Sequence, residues 1–314
     1  MTAVPRSTFG VAGAGVIGAG WAVRALGRGL DVVVHDPAPG AERRLRGAVA
    51  RAWPAVSRLG LHPGADPARL TFATALDEVA ARSGFVQEAV PEDLDRKRGV
   101  LAAIDAVADA DVVIASSTSG LRPTALQDGL RHPGRLVVGH PFNPVYLLPL
   151  VEVVPGVQTT AATVACARAV YDDLDMHPLV VRGEIDGFLS DRMLEAVWRE
   201  MLHLLAEGVA TTAELDEAIC YGPGLRWAAM GTSLTYHLAG GEGGMRHFLK
   251  HFDPSVSDDW TRLPSPPITE ALVEKMAAGC ERLQAGRPLA DLQRLRDNAL
   301  VGFLKHFREV AGQA

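Results

Sequence analysis

Residues 7–36 have the sequence STFGVAGAGVIGAGWAVRALGRGLDVVVHD, which is a short apolar run, a glycine loop, a helical stretch and a second apolar run. In the loop pattern G-x-G-x-x-G, the first glycine permits a tight turn, the second lets the backbone approach a pyrophosphate, and the third lets helix and strand pack closely. Asp36 lies 18 residues beyond Gly18, close to the spacing of about 20 expected for an acid that binds the adenosine ribose. The stretch therefore predicts a strand–helix–strand unit that binds a dinucleotide.

The residue that follows the acid indicates which dinucleotide binds. Pro37 stands there, and no adjacent arginine is available to receive a 2′-phosphate, so NAD is favoured over NADP. FAD is a weaker alternative, because no second half of a flavin-binding domain is evident. The phosphates would bind the free N–H groups at the helix N-terminus. The predicted cofactor-binding residues of this unit are Gly13, Gly15, Val16, Ile17, Gly18 and Asp36.

Short apolar runs alternate with helical stretches through the next hundred residues, as in LTFA, GFVQEAV, VVIASS and RLVVGH. This alternation predicts a parallel, doubly wound sheet, in which ligands bind at the carboxyl ends of the strands. Glu88, the stretch from Ser116 to Ser119, and His140 all come at the ends of predicted strands. We expect these polar side chains to lie along one edge of the sheet.

A histidine and a carboxylate are set close together in residues 139–155, GHPFNPVYLLPLVEVVP. Glu152 lies inside an apolar run that is typical of a buried strand, where a carboxylate is costly unless it has a partner. His140, in the preceding loop, is the nearest partner. We interpret the pair as a histidine general base that is oriented by a glutamate, since an imidazole with its ordinary pKa near 6.5 is mostly neutral at working pH. The alternative is a structural loop histidine.

The pattern changes to helices beyond Asp186. The predicted helices are 188–207, 212–219, 234–252 with a glycine break at 240–244, 270–285 and 289–310. The predicted fold is α/β, with a Rossmann-like NAD-binding domain at 1–184 and an all-helical domain for substrate binding and dimerisation at 185–314. The last helix carries an apolar stripe that belongs either to the core or to the contact between two subunits of a homodimer. The stripe comprises Leu292, Leu295, Leu300, Phe303 and Phe307.

Composition excludes several classes of partner. The 314 residues have a formal net charge of −6 without a basic block, which argues against nucleic acid as a partner. No apolar run reaches the roughly 20 residues of a membrane span, and the N-terminus does not resemble a signal peptide.

The cysteines and histidines give no sign of a disulfide or a metal site. Three widely spaced cysteines favour reduced thiols in the cytoplasm. We predict no metal, because no histidine or cysteine pair has metal-ligand spacing, and we expect His203, His237, His247, His251 and His306 on helix surfaces.

Four further stretches show a family resemblance: QEAVPEDLDRKR, SSTSG, HPFNPVYLLPLVEVVPG and IDGFLSDRML. With the glycine loop, they make the chain similar to the 3-hydroxyacyl-CoA dehydrogenase superfamily over nearly its whole length. The resemblance implies oxidation of a secondary 3-hydroxyl to a ketone, with hydride transfer to NAD. It also implies roles for six residues. His140 and Glu152 match the catalytic pair, Ser119 and Asn143 match residues beside the substrate hydroxyl, and Glu92 and Lys97 match residues that contact the cofactor.

Within the helical half, the chain resembles the carnitine dehydrogenase branch of this superfamily. The stretches that carry this likeness are LEAVWREMLHLLAEG, LRWAAMG, TYHLAGGEGGMRHFL and RLRDNALVGFL. Asp191 fits this branch, whereas Leu234 stands where the branch has an acid. The alternatives are a gulonate dehydrogenase, a 3-hydroxyacyl-CoA dehydrogenase and a non-catalytic NAD-binding protein.

A carnitine-like substrate would need partners for both of its charges. A quaternary ammonium group can only be met by aromatic faces and diffuse negative charge. The candidates are Phe142, Tyr146, Trp198, Tyr221 and Trp227, with the acids Asp191 and Glu195, although packing is an equal alternative for each aromatic residue. Arg226 is the candidate for the substrate carboxylate, as a bidentate fork. Its alternative role is a salt bridge at the surface or between subunits.

Overall fold

The structure is a computed structural model that describes residues 8–252, 260–261, 269–289 and scattered residues between 291 and 309. The chain divides into two compact units, Met1–Met193 and Leu194–Ala314. The first unit contains a sheet with helices on both faces, and the second is helical. The predicted fold class is therefore confirmed.

One sheet of eight strands is found in the described part of the first unit, in the order β3-β2-β1-β4-β5-β6-β7-β8. The strands are β1 Thr8–Ala12, β2 Asp31–His35, β3 Leu70–Phe72, β4 Phe85–Glu88, β5 Val113–Ser116, β6 Leu136–Pro141, β7 Leu150–Pro155 and β8 His177–Val180. The helices that follow them are α1 Val16–Gly27, α2 Ala41–Leu59, α3 Leu76–Arg82, α4 Leu94–Val107, α5 Pro123–Gln127 and α6 Ala161–Asp173.

The sheet is buried on both faces because successive side chains of a strand point to opposite sides. In β2, Val32 and Val34 join the core cluster that contains α1, α2 and α6, and Val33 joins the cluster that contains α3, α4 and α5. The largest side chain of the first cluster is Trp21 of α1, which stacks on Tyr171 of α6 with ring centroids 5.5 Å apart. These two layers explain why the strands appear in the sequence as continuous apolar runs.

The expectation of a parallel sheet holds for every described pair of strands but one. All neighbouring described strands pair in parallel except β6 and β7, which are antiparallel. Residues 142–149 join these two strands directly, and that connection is too short for the crossover that a parallel pair requires. The reversal puts His140 opposite Glu152 in the strand register.

The glycine loop between β1 and α1 depends on two close approaches. Gly13 has a φ of +104°, a backbone conformation that side chains other than that of glycine rarely adopt. A Cβ at Gly18 would overlap the carbonyl oxygen of Gly13. The first glycine therefore makes the turn, and the third lets the helix begin directly against the end of β1.

Up to Gln284, the described residues of the helical half follow the predicted order of elements, with one additional helix. Its helices are α7 Ser190–Ala206, which begins in the first unit, and α8 Thr212–Cys220, α9 Pro223–Ala229, α10 Thr232–Ala239, α11 Gly244–His251 and α12 Glu270–Gln284. Helix α9 was not predicted from the sequence. The break between α10 and α11 lies at the predicted glycines, where Gly241 and Gly244 both have positive φ. Most of the predicted helix 289–310 lies outside the described residues, including Leu300 and Phe307, while Leu292 is buried and Leu295 and Phe303 are exposed.

His237 was expected on a helix surface, but it is buried inside the helical unit. Its Nδ1 accepts a hydrogen bond from the Met245 amide at 3.3 Å, and its Nε2 lies 3.0 Å from Oε1 of Gln284. The glycine-rich break turns α11 back toward α10 and brings Met245 close to the imidazole. Helical periodicity alone does not show this, because the turn depends on the conformation of the break.

Two findings on the described residues concern membrane spans and metal sites. No helix in this part of the chain has the length and apolar character needed to span a bilayer. No group of three or more histidine, cysteine, aspartate or glutamate side chains there is arranged to hold a metal ion.

Candidate active site

A groove of about 820 Å³ lies at the carboxyl ends of β1, β2, β4 and β5. The residues predicted to bind the cofactor that line it are Gly13, Gly15, Val16, Ile17, Asp36, Glu92 and Lys97. Gly18 is not among the lining residues, since it is buried behind the loop. Ser117 and Ser119 line the same groove after β5.

The features of this groove fit a dinucleotide. Asp36 is fixed at its wall, because the Ala14 amide donates to Oδ2 and the Ala38 amide donates to Oδ1, both at 2.8 Å. The N-cap of α1, Gly15, makes no side-chain capping bond, and a Cβ there would meet only open space. The groove therefore offers an acid for ribose hydroxyls and free helix N–H groups for phosphates.

Lys97 is buried in an ion pair beside the groove. Its Nζ bonds Oε1 of Glu88 at 2.9 Å and the carbonyl oxygen of Val90 at 3.0 Å, and it lies 3.4 Å from Glu92. Lys97 is 1% exposed and Glu88 is 0% exposed. The second oxygen of Glu88 accepts a hydrogen bond from Ser116. Glu88 was expected at the sheet edge, but its pairing with Lys97 was not predicted. Lys97 lies nine residues after Glu88 in the sequence, at the start of the next helix, and this spacing could have indicated the pair.

His140 and Glu152 form a buried pair at the end of β6. Nδ1 of His140 lies 3.0 Å from Oε2 of Glu152, and both side chains are almost fully buried. Oε1 of Glu152 accepts hydrogen bonds from the Leu189 and Ser190 amides at 3.0 Å and from the Ser190 hydroxyl at 3.2 Å. Glu152 is therefore held by the first turn of α7 as well as by the imidazole.

These bonds determine the charge of Glu152. Burial alone raises the pKa of this carboxyl, but the hydrogen bonds from His140, Ser190 and Leu189 outweigh burial and lower the pKa below its usual value. An ionised carboxylate only accepts hydrogen bonds, so Nδ1 of His140 carries the proton that is donated to Glu152. In the neutral imidazole, this arrangement leaves the lone pair on Nε2.

The surroundings of Nε2 include one further predicted residue. Oδ2 of Asp191, in the first turn of α7, lies 3.7 Å from Nε2. The imidazole packs against Phe142 with ring centroids 4.9 Å apart, and against Phe188 at 5.6 Å. Sequence reasoning missed Phe188, Leu189 and Ser190 as neighbours of this pair, although they fall within the quoted stretch IDGFLSDRML.

The remaining predicted residues are spread over both units. Ser119 and Asn143 are exposed near strand ends, and Tyr146 is half-buried against the core of the first unit. In the second unit, Trp198 on α7 is 50% exposed, and Trp227 on α9 is 39% exposed.

Arg226, also on α9, lines a separate cavity of about 240 Å³ in the second unit. Thr235 lines the same cavity. Its Oγ1 is buried and has no hydrogen-bond partner among the described residues. Tyr236 and Phe248 form one wall of the cavity, with their rings stacked 4.7 Å apart.

Two family models cover the chain. The model of the 3-hydroxyacyl-CoA dehydrogenase NAD binding domain matches residues 8–185, and that of the C-terminal domain matches residues 187–285. The chain belongs to the 3-hydroxyacyl-CoA dehydrogenase family. The recognition made from the sequence motifs is thereby confirmed.

Individual relatives are similar over almost the whole length. The L-carnitine dehydrogenase of Pseudomonas aeruginosa is 54% identical over 302 residues, which cover 96% of this chain and 94% of that protein. The L-carnitine dehydrogenase of Oceanobacillus iheyensis is 50% identical over 93% of this chain and 95% of its own. Among solved structures, an NAD⁺-dependent dismutase, 5-formyl-3-hydroxy-2-methylpyridine 4-carboxylic acid 5-dehydrogenase, matches with a TM-score of 0.76. It is 26% identical, and the match covers 99% of this chain and 100% of that one.

This family membership and these relatives establish the coarse activity. The protein is an NAD-dependent 3-hydroxy acid dehydrogenase that acts on a small molecule. The predicted cofactor and enzyme class are confirmed, which excludes the alternative of a non-catalytic NAD-binding protein.

The lowered pKa of Glu152 predicts a stability difference that depends on pH. The ionised carboxylate stabilises the fold above the ordinary glutamate pKa of 4.5, and this contribution is lost as the pH falls through the lower pKa of the folded protein. We expect Glu152→Gln to lower the free energy of unfolding by about 1 to 3 kcal/mol at neutral pH. The difference should shrink below pH 4.5, as measured by urea denaturation at a series of pH values.

Glu195→Gln on α7 is the matched control. Glu195 is half-exposed and pairs with Arg199 on the same helix. This exposed pair contributes little, so its removal should change stability by less than about 0.5 kcal/mol at neutral pH. A deficit in Glu152→Gln that stays constant from neutral to acid pH would contradict the ionised, buried pair.

Proposed function

We propose that the enzyme oxidises the 3-hydroxyl of L-carnitine to the ketone of 3-dehydrocarnitine, with His140 as general base and Glu152 as the residue that orients it. The observation that carries this proposal is the hydrogen-bonded pair at the end of β6, which leaves Nε2 of His140 as a proton acceptor. The high identity to proteins named L-carnitine dehydrogenase supports the choice of substrate.

The chemistry requires two transfers from the substrate. Bound NAD supplies the hydride acceptor for the hydrogen on C3. Nε2 of His140 takes the hydroxyl proton as the carbonyl forms, and ionised Glu152 stabilises the imidazolium that results. The Ser119 hydroxyl and the Asn143 amide would hold the substrate oxygen, and each donor of this kind contributes roughly 2 to 4 kcal/mol.

We assign the binding of the trimethylammonium group to aromatic faces and to Asp191. A quaternary ammonium group has no N–H to donate, so it binds π-faces and diffuse negative charge. Phe142 and Asp191 both lie close to the His140 imidazole, which supports their assignment. Tyr146, Trp198, Tyr221 and Trp227 remain candidates, with Glu195 as a further acid.

Arg226 is proposed to bind the substrate carboxylate. A guanidinium fork matches a carboxylate in two parallel hydrogen bonds. The buried Thr235 hydroxyl in the same cavity has no partner among the described residues, so it is available as a further donor.

The roles of the two domains follow from the same proposal. We assign residues 1–184 to NAD binding, and residues 185–314 to substrate binding and dimerisation. Unpaired cysteines at all three positions support a reducing compartment such as the cytoplasm.

A homodimer is supported by the apolar face of α7. Among the described residues of this helix, none is buried. Leu194, Trp198, Leu202 and Leu205 lie at helical spacing and are 44% to 61% exposed. A second copy of the chain would cover this face.

A panel of substrates tests the proposed activity. With NAD in excess, we expect NADH to form from L-carnitine with a kcat/KM at least about 100-fold above that for L-gulonate or 3-hydroxybutyryl-CoA. The reason is that the proposed site has partners for both charged groups of carnitine. A preference for gulonate or the thioester would overturn the assignment to carnitine.

Glu152→Gln should lower kcat by about 10²- to 10⁴-fold. The glutamine side chain would direct an amide N–H at Nδ1, so Nδ1 would have to accept. The proton of the neutral imidazole would then lie on Nε2, which could not accept the substrate proton.

The assignment of Arg226 predicts a change in KM. Arg226→Ala should raise KM for carnitine about 10- to 100-fold, the loss expected for a charge-assisted bond, and should change KM for NAD by less than about 2-fold. Arg226→Lys keeps the charge but loses the fork, and should fall between wild type and Arg226→Ala. Equal effects of Arg226→Ala on both ligands would exclude this role.

The assembly can be tested by sedimentation. Because each chain has a mass of 33.3 kDa, a homodimer should sediment at about twice that mass. Leu202→Glu places a charge on the apolar face and should shift the protein toward monomer, whereas Glu195→Gln should not. A wild-type protein that remains monomeric at micromolar concentration would contradict the dimer.

A further inference from the structure

A buried set of hydrogen bonds lies behind the cofactor groove and ends at Ser117. Oγ of Ser117 lies 3.1 Å from Nε1 of Trp21 and 2.8 Å from Nε2 of Gln87. Gln87 is fully buried, with Nε2 3.1 Å from the carbonyl oxygen of Gly139 and Oε1 2.8 Å from the Tyr171 hydroxyl. The set joins α1, β4, β6 and α6 to the loop after β5.

The direction of each bond at Ser117 is determined by its partners. An indole N–H only donates, so Trp21 donates to Ser117. A carbonyl only accepts, so the amide nitrogen of Gln87 faces Gly139, and its second hydrogen is donated to Ser117. The Tyr171 hydroxyl then donates to the amide oxygen of Gln87.

The hydroxyl hydrogen of Ser117 is left to donate elsewhere. A serine oxygen accepts two hydrogen bonds, and here the indole and the amide occupy both sites. Within the described part of the chain, no hydrogen bond donated by this hydroxyl is found. Ser117 is half-buried and lines the groove beside Ser119, so its hydrogen is available to a ligand there.

The strand order indicates which part of the cofactor lies near Ser117. Asp36 follows β2, the glycine loop follows β1, and Ser117 follows β5, which lies beyond β4 in the order β2-β1-β4-β5. An acid in the position of Asp36 takes the adenosine ribose, and the loop takes the pyrophosphate. The other half of the dinucleotide therefore extends toward the ends of β4 and β5.

We propose that Ser117 is a cofactor-binding residue whose hydroxyl donates a hydrogen bond to an oxygen of the nicotinamide riboside half of NAD. The bonds from Trp21 and Gln87 orient this hydroxyl before the cofactor binds. The same amide of Gln87 bonds Gly139, the neighbour of His140. One buried side chain thus fixes the donor to the cofactor and the strand end that carries the proposed base.

Binding of two nucleotides tests the proposal without reference to turnover. NADH contains the nicotinamide riboside and ADP lacks it, so Ser117→Ala should weaken NADH binding about 10-fold and leave the Kd of ADP within about 2-fold of wild type in calorimetric titrations. An unchanged Kd for NADH, or equal losses for both nucleotides, would overturn the proposal.

Tyr171→Phe is the control for disturbance of the buried set. It removes one bond of the same set and retains the stacked ring and the Ser117 hydroxyl. Both Kd values should stay within about 2-fold of wild type. A loss of NADH affinity equal to that of Ser117→Ala would show that the buried set, and not the hydroxyl, determines binding.

Ser117→Cys gives a result even if Ser117→Ala does not fold. Alanine leaves the N–H groups of Trp21 and Gln87 without an acceptor, whereas a thiol can still accept weakly but donates poorly. Ser117→Cys should also weaken NADH and spare ADP. Full NADH affinity in this variant would overturn the proposal.

Discussion

The burial of the Glu152 carboxylate is the constraint on which the site depends. A charge taken out of water is costly unless several donors replace the lost hydration. Here the donors come from two places along the chain: the imidazole of His140 on β6, and the Leu189 amide with the Ser190 amide and hydroxyl at the start of α7. Each donor must be in position for the charge to be tolerated, so the glutamate ties β6, β7 and the start of α7 together.

The same bonds prepare the chemistry. Because Glu152 remains ionised, the imidazole is held in the tautomer that has its lone pair on Nε2, and no rearrangement is needed before a proton is accepted. A neutral glutamine could satisfy the amides of α7 but not this tautomer. The interaction that stabilises the fold at this point is therefore also the one that gives His140 its proposed role.

Polar groups beneath the groove follow the same pattern. Lys97 and Glu88 are both buried and bond each other, and Gln87 bonds a side chain or a carbonyl group with each of its polar atoms. A buried polar group without a partner costs free energy, so groups of this kind at the end of a sheet are bonded into fixed arrangements. The polar groups behind the cofactor groove are therefore already paired with one another in the protein without NAD.

Much of this arrangement could be predicted from local patterns. The glycine loop and Asp36 predicted the first strands, the first helix and the NAD site, because their spacing reflects contacts within about 30 residues. The cost of a lone carboxylate in an apolar strand predicted the partner of Glu152. The amides of Leu189 and Ser190 were missed, since backbone N–H groups carry no sequence signal. The burial of His237 was missed because it depends on how a glycine break turns one helix onto another.

Short-range periodicity and the energetic cost of a residue type were enough to predict the alternation of strands and helices, the cofactor and the histidine–glutamate pair. The antiparallel pairing of β7 with β6, and the hydrogen bond that the start of α7 donates to Glu152, emerged only from the folded arrangement. Both outcomes depend on how segments pack against one another, and that is set by the packing of the whole sheet and its helices.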